Sequence, residues 1–468
     1  MKAKFLSEIR NIKRVIQSKP DKVETYQEIS DERYRRILLT GGTSAIVKGV
    51  SAIINLFIIP LTVKYLGSER YGLWMAISSM LALMSFADLG LGNGLVNAVA
   101  KASGRKNQEE ASVAISSTFF LLLVISLILF IFFILIYPYI SWDRIFNVKS
   151  SIAVIESGPT MFILVAALLL NMPLGVIQRV QEGFQEGYRF QLWQLVGSFI
   201  SLFLILTCIF FKGSLPLLVL SLSSGQIIST IINGYFLFNN HRPNLKPSYR
   251  QFNLKVGKNL IKSGLIFLTL GIFTLIANAS DDLVIAQKLG ASYVSGYEIV
   301  KKLFLFSMFT QFIIQPLWPA FAESLESGDI IWIRKTLKKS LFISITFGLV
   351  FSLPLLLGGK QIIQFWVGAE YIPTWSLLIG FYCFIVLANY GGVMSTFLNS
   401  GDLIGKQTIF IGLASITALL TKIYLSAKIG VSGVIWATVI CYSIFYVLPS
   451  YRLAFNYIKI QNDEKGLG

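Results

Sequence analysis

The sequence predicts an all-α polytopic membrane protein, with about twelve transmembrane helices in two six-helix lobes around a central cavity. Three observations predict it. Twelve apolar stretches fill the chain from Leu38 to Leu448, each near the ~20 residues that cross a ~30 Å hydrocarbon layer as a helix. The composition is 54% apolar and 14% charged, with a mean hydropathy of +0.67; a soluble domain carries about 25% charged residues. Lysine and arginine also alternate in abundance between successive connections. On a twelve-span model one side holds 29 of the 41 and the other 9, with Lys48, Lys301 and Lys302 inside spans. The positive-inside rule makes the rich side cytoplasmic and puts both termini there.

The elements follow in order. Residues 1–37 form a polar head holding ten lysines and arginines, among them Arg10, Lys13, Arg33 and Arg36. It lacks the 7–15-residue apolar run of a cleavable signal. The N-terminal lobe, 38–238, takes spans Leu38–Val63, Tyr71–Leu89, Ala111–Tyr137, Thr160–Val180, Leu192–Phe211 and Leu215–Phe238. A basic cytoplasmic linker, 239–259, leads to the C-terminal lobe, 260–448. Its spans are Leu260–Ala286, Val294–Phe321, Leu341–Leu357, Trp375–Leu398, Ile409–Ala427 and Val431–Leu448, and 449–468 is a cytoplasmic tail. Backbone in lipid must satisfy its own hydrogen bonds, so every span must be helical.

Two internal matches suggest that the halves repeat. Lys64–Trp74, KYLGSERYGLW, resembles Gln287–Ile299, QKLGASYVSGYEI, and Gly175–Phe190 resembles Gly392–Gln407. The offsets, measured at Gly67/Gly290 and Gly175/Gly392, are 223 and 217 residues. Six helices per half is an even number, so both halves enter from the same side. Parallel repeats of this kind suit alternating access by rocking.

The net charge of +17 reads as topological bias and contact with anionic inner-leaflet lipid. The basic residues are scattered among loops, which argues against nucleic acid as a partner. Cys208, Cys383 and Cys441 lie in apolar runs without metal spacing, and no cofactor or metal is expected. Gly401–Thr408, GDLIGKQT, imitates a phosphate loop but is one residue short between its glycines and has Gln407 where the Mg²⁺-binding hydroxyl belongs. No catalytic constellation is present, so an enzyme is not expected.

Ionisable residues inside spans are costly and often functional. Lys48 lies about ten residues into the first span, ~15 Å deep at 1.5 Å per residue, and is a candidate substrate-binding cation. Lys301 and Lys302 are two more. Asp281, Asp282 and Glu298 lie at comparable depth across the hairpin at Gly290 and form either an ion-pair cluster, with Asp282 opposite Lys302, or an ion-coupling site. Asp88, Gly90, Gly92 and Gly94 close the second span in a flexible, closely approachable turn, with a structural or a gating role. Pro60 and Pro316, with Pro173, Pro319 and Pro354, can bend helices by removing a backbone donor.

The run Phe86–Ala102, FADLGLGNGLVNAVAKA, together with Ile59–Trp74, IPLTVKYLGSERYGLW, resembles the polysaccharide transporter family. These are the O-antigen and exopolysaccharide flippases of the multidrug/oligosaccharidyl-lipid/polysaccharide superfamily, and the likeness extends over nearly the whole chain. It implies movement of an undecaprenyl-diphosphate-linked oligosaccharide from the cytoplasmic to the outer leaflet of a bacterial plasma membrane. Its implied partners are that lipid-linked oligosaccharide, the bilayer, and a polysaccharide polymerase with its chain-length machinery. The charged head departs from the family's pattern. Two other functions compete: a cation-coupled multidrug antiporter of the same fold, which calls for an acidic cavity, and a membrane polysaccharide polymerase or ligase, which calls for a large outer loop.

Overall fold

The computed structural model describes residues 26–83, 88–146, 148, 150–290, 292–308, 310–401 and 403–464, apart from some side chains within the helices. Most of the basic head, Phe86 and Ala87, and the side chain of Pro60 lie outside the described residues. Within them the chain is helical throughout, with no β-strand. Among the described residues, nine helices are long and apolar enough to cross a membrane. This is the all-helical membrane architecture expected from hydropathy.

Helix α1, Tyr26–Leu83, holds the first two predicted spans, kinked where Gly67 takes φ 77°. A short helix α2, Leu91–Gly104, follows the DLGLGNGL turn. Helices α3 (Gln108–Ile136), α4 (Ser151–Gly183), α5 (Gly187–Phe210) and α6 (Leu215–Phe236) correspond to the next four spans. Helix α7, Leu254–Lys288, is the seventh. The eighth is not one helix. It is broken into α8 (Ser292–Leu305), two short turns, and α9 (Leu317–Ser327), with Pro316 as the residue before α9. Helices α10 (Ile330–Trp366), α11 (Trp375–Ser400) and α12 (Ile404–Ile429) follow. The last span is α13 (Ser432–Tyr442), a π-turn over Ser443–Val447, and α14 (Leu448–Glu464).

Several helices overrun the apolar runs that predicted them. Helix α10 begins eleven residues before Leu341 and ends nine after Leu357. Its start is set by polar chemistry that hydropathy does not register. Gly328 ends α9 in the left-handed region, and the Asp329 side chain accepts from Trp332 N at 3.1 Å. Helix α4 likewise starts at Ser151, where Ser150 caps Ala153 N. Gly67 and Gly290, the paired glycines of the repeat, both take positive φ, 77° and 112°. A side chain would be strained at either hinge.

The chain divides into two compact units between Leu265 and Ile266, inside α7. In the N-terminal unit one core joins Leu91, Leu95 and Val99 of α2 to Ile115 of α3, Val180 of α4 and Leu260 of α7. A second core gathers Trp74, Ile77, Trp142, Val165 and Leu218. Helices α5 and α6 meet through small residues. A Cβ on Gly225 would stand 2.2 Å from the Ser201 hydroxyl, and that hydroxyl donates to Leu222 O at 2.7 Å. Lipid gives little hydrophobic drive between helices, so close packing and interhelical hydrogen bonds do this work. Large apolar side chains such as Phe203, Phe342 and Phe365 are accordingly left exposed.

The C-terminal unit has its core around Ile285, Phe304, Leu378, Phe381 and Val434. Beside the break in the eighth span, buried Asn389 of α11 is a polar hub. It bonds Thr310, accepts from Ser344 at 3.2 Å, and donates to Ile385 O at 3.0 Å and Ser307 O at 3.4 Å. One backbone carbonyl at the break, Ser307 O, thus finds a partner inside the protein, as a broken helix at membrane depth requires.

Candidate functional site

The DLGLGNGL turn is built for close approach. Asp88 Oδ1 accepts from Gly90 N at 3.0 Å, and Gly90 takes φ 71° before α2 begins. A Cβ on Gly90 would lie 2.2 Å from Gly264 O, and one on Gly264 would lie 2.6 Å from Leu89 O. The turn therefore rests directly on the backbone of α7. Gly94 faces Leu260 O across the same contact, and Gly92 faces Arg179 of α4. Asp88, Gly92 and Arg179 also line a small cavity of about 210 Å³.

The KYLGSERYGLW hinge is tied down by charge. Arg70 makes a two-pronged bond to Glu156 at 2.6 and 2.7 Å, and Glu156 also accepts from Leu215 N at 3.0 Å. One carboxylate thus joins α1, α4 and the start of α6. Bidentate arginine–carboxylate geometry makes such a contact both strong and specific.

The largest concentration of buried polar chemistry is in the C-terminal unit. A cavity of about 360 Å³ is lined by Asp281, Tyr297, Lys301, Gln311, Lys422 and Tyr442 among others. Lys422 of α12 is 0% exposed. Its ammonium lies 2.5 Å from Asp281 Oδ1 and donates to Ala277 O at 2.8 Å and Ser280 Oγ at 3.0 Å. Tyr297 donates its hydroxyl to Asp281 Oδ2 at 2.7 Å. The ammonium thus makes two hydrogen bonds and one close ion contact, while Asp281 Oδ1 faces it without accepting a hydrogen bond; opposite charge at this range is what lets a buried pair be tolerated. Lys301 donates to Glu298 at 2.6 Å, with both side chains about a quarter exposed, and Asp282 sits beside these two.

Several residues singled out in the sequence meet here, in a different arrangement from the one expected. Asp281, Lys301 and Glu298 come together, but Asp282 does not pair with Lys302. Lys302 is exposed and absent from the cavity wall. Successive helical residues point about 100° apart, so matching depth alone does not make a contact. Asp281 instead pairs with Lys422, which lies within the predicted span Ile409–Ala427. The missed signal was plain: a lysine inside an apolar helix, the same cue that singled out Lys48. Lys48 itself is exposed on α1. Pro316 stands at the break of the eighth span, and Pro173 and Pro354 lie inside α4 and α10.

The cavity combines a neutralised ion pair with amide and phenol groups that can both donate and accept hydrogen bonds. Gln311 Nε2 is buried without a partner among the described residues. Such a lining suits a hydroxyl-rich ligand, with Lys301 as an adjacent cation. Among the described residues no cluster of histidine, cysteine or carboxylates could hold a metal ion.

Comparison with known proteins agrees with this architecture. A family model described as polysaccharide biosynthesis protein matches residues 40–325. A Salmonella typhimurium protein named as a candidate O-antigen transporter is 24% identical over 88% of this chain and 95% of its own length. A Salmonella typhi protein of the same description is 21% identical over 90% of this chain and 97% of its own. Among solved structures, an outward-facing multidrug resistance MATE transporter of the MOP superfamily aligns with a TM-score of 0.75 at 17% identity, covering 96% of this chain and 98% of that one. A MOP superfamily transporter from Pyrococcus furiosus, described as having a binding pocket of reverse polarity, aligns at 0.71 with 15% identity, covering 92% and 97%. The structural likeness establishes a shared fold, and the family match over more than half the sequence establishes kinship: this chain belongs to the polysaccharide biosynthesis protein family.

Proposed function

We propose that this protein is a flippase that carries an undecaprenyl-diphosphate-linked oligosaccharide from the cytoplasmic to the outer leaflet of a bacterial plasma membrane, by alternating access and with both termini cytoplasmic. The observation that carries this reading is the family match spanning 40–325. The chemistry of the cavity supports it against the multidrug alternative. A cationic drug calls for an uncompensated carboxylate, and the one carboxylate in this cavity's lining, Asp281, faces Lys422, while the remaining charged group of the lining is Lys301, itself paired with Glu298. In this reading the tyrosine and glutamine side chains bind sugar hydroxyls and Lys301 attracts the diphosphate, while Lys48, exposed on α1 and outside that cavity, is a second cation for the cargo within the N-terminal unit. The break at Pro316 and the glycine turn after Asp88 are where the helices bend during the cycle.

The test is reconstitution into proteoliposomes with a fluorescent lipid-diphosphate oligosaccharide, quenched from outside. Wild-type protein should equilibrate the probe between leaflets, and Lys48→Ala and Lys301→Ala should slow it at least about tenfold, a loss of ~1.4 kcal/mol in transport barrier. Probe movement no faster than in empty liposomes, combined with export of a cationic dye, would replace this reading with the antiporter.

A further inference from the structure

A second polar cavity, of about 260 Å³, opens in the N-terminal unit around the connection between α2 and α3. Its lining includes Arg36, Lys106 and Arg242, three cations from three separate segments, and no carboxylate. Phe184, at the end of α4, organises two of them. Arg36 donates to the Phe184 carbonyl at 3.3 Å, and the Arg242 guanidinium lies 3.9 Å from the centre of the Phe184 ring. Each arginine is also held by a carboxylate shared with a second arginine, Arg36 by Glu32 at 2.8 Å beside Arg35, and Arg242 by Glu186 at 2.6 Å beside Arg189. Both forks are therefore positioned before any ligand arrives, which lowers the entropic cost of binding.

Lys106 is different. It sits in the tight turn before α3 at φ 56°, exposed, and forms no ion pair among the described residues. Beside it Asn107 caps α3, a 29-residue helix whose first turn also lines the cavity. The amino end of a helix favours an anion. The acidic residues that follow Lys106 in the chain are directed elsewhere or exposed: Glu110 is bound by Arg105 at 2.8 Å, and Glu109 lies on the surface.

We propose that this cavity is a binding site for a phosphate-bearing group, engaged by Lys106 with Arg36 and Arg242 as preset flanking donors. It is separate from the cavity around Lys422 and does not depend on the cargo assigned to that one. Two sources offer this chemistry: the headgroup of an anionic phospholipid, and a soluble phosphate or diphosphate.

The experiment uses the full chain purified in a neutral detergent. One arm titrates phosphatidylglycerol and follows bound lipid by native mass spectrometry. The other titrates inorganic pyrophosphate and follows the thermal midpoint. Lys106→Glu should weaken the responding arm by about tenfold or more, the scale of one charge-assisted contact. Lys255→Glu, which reverses an exposed charge outside the cavity, should leave it unchanged. Should Lys106→Glu fail to fold, Lys106→Gln repeats the comparison. A response confined to phosphatidylglycerol assigns the site to lipid, and one to pyrophosphate assigns it to a soluble anion. Equal binding by wild type and the Lys106 variant in both arms overturns the proposal, as does an equal loss in Lys255→Glu.

Discussion

Replacing Lys422 with methionine is the sharpest test of how the C-terminal unit holds together. The wild-type ammonium lies 2.5 Å from Asp281 Oδ1, with no solvent exposure. At an effective dielectric of ~20, two unit charges at that separation attract by roughly 7 kcal/mol. Desolvation of the two ions offsets most of this, so the intact pair contributes little net stability. Removing one partner is another matter. In Lys422→Met the carboxylate of Asp281 keeps only the Tyr297 hydroxyl and must be buried charged or take up a proton. The typical cost of such a loss is ~3–5 kcal/mol. Asp281→Asn with Lys422→Met removes both charges and keeps a group that can accept from Tyr297, so more than half of the loss should return. The assay is unfolding of the purified protein by SDS in mixed micelles, for wild type, both single variants and the double, read as a double-mutant cycle. A Lys422→Met single variant within ~1 kcal/mol of wild type, or a double variant no better than the worse single, would refute the reasoning. Where the double variant folds, its flipping rate reports whether the charges serve transport: folding recovered without transport assigns the pair to the transport cycle.

The glycine turn gives a graded series. Gly90→Ala combines positive φ with a Cβ 2.2 Å from Gly264 O, Gly264→Ala meets Leu89 O at 2.6 Å, and Gly94→Ala meets Leu260 O at 3.3 Å. Folded yield by fluorescence-detected size exclusion should fall in that order, with Gly94→Ala close to wild type. Glu32 predicts an acid-sensitive contact. Burial opposes its ionisation, but the hydrogen bonds and charges of Arg35 and Arg36 outweigh it and hold the carboxyl below its usual range. A depressed folded value means the stabilisation is present above the unfolded pKa, about 4.3, and is lost as pH falls through the folded one. Glu32→Gln should therefore be less stable than wild type at neutral pH, and the gap should close below about pH 4.3, as read by thermal midpoints across pH. Orientation is checked with single cysteines: one at Lys212 should react with an impermeant maleimide on intact cells, and one at Lys255 only after the cells are opened.

The membrane class, the helical state of each span and the alternation of basic connections are local properties of this chain, and the sequence by itself determined them. Twenty apolar residues in a row have few ways to exist in lipid, and a polar connection announces itself wherever it falls. The glycines at Gly67 and Gly290 were legible for the same reason, since the need for positive φ is imposed by the residues on either side. The ends of α4 and α10 were less so, because caps such as Ser150 and Asp329 extend helices beyond the apolar run. The break between α8 and α9 depends on Asn389, a residue of another helix that bonds Ser307 and Thr310. The pairing of Asp281 with Lys422 in place of Asp282 with Lys302 was decided by the tertiary structure alone. Depth along a helix can be counted from sequence, but which face meets which neighbour is set by the packing of several helices at once. The same holds for the cluster of Arg36, Lys106 and Arg242, which stand far apart in the chain and share one cavity with Phe184, a contact of both arginines.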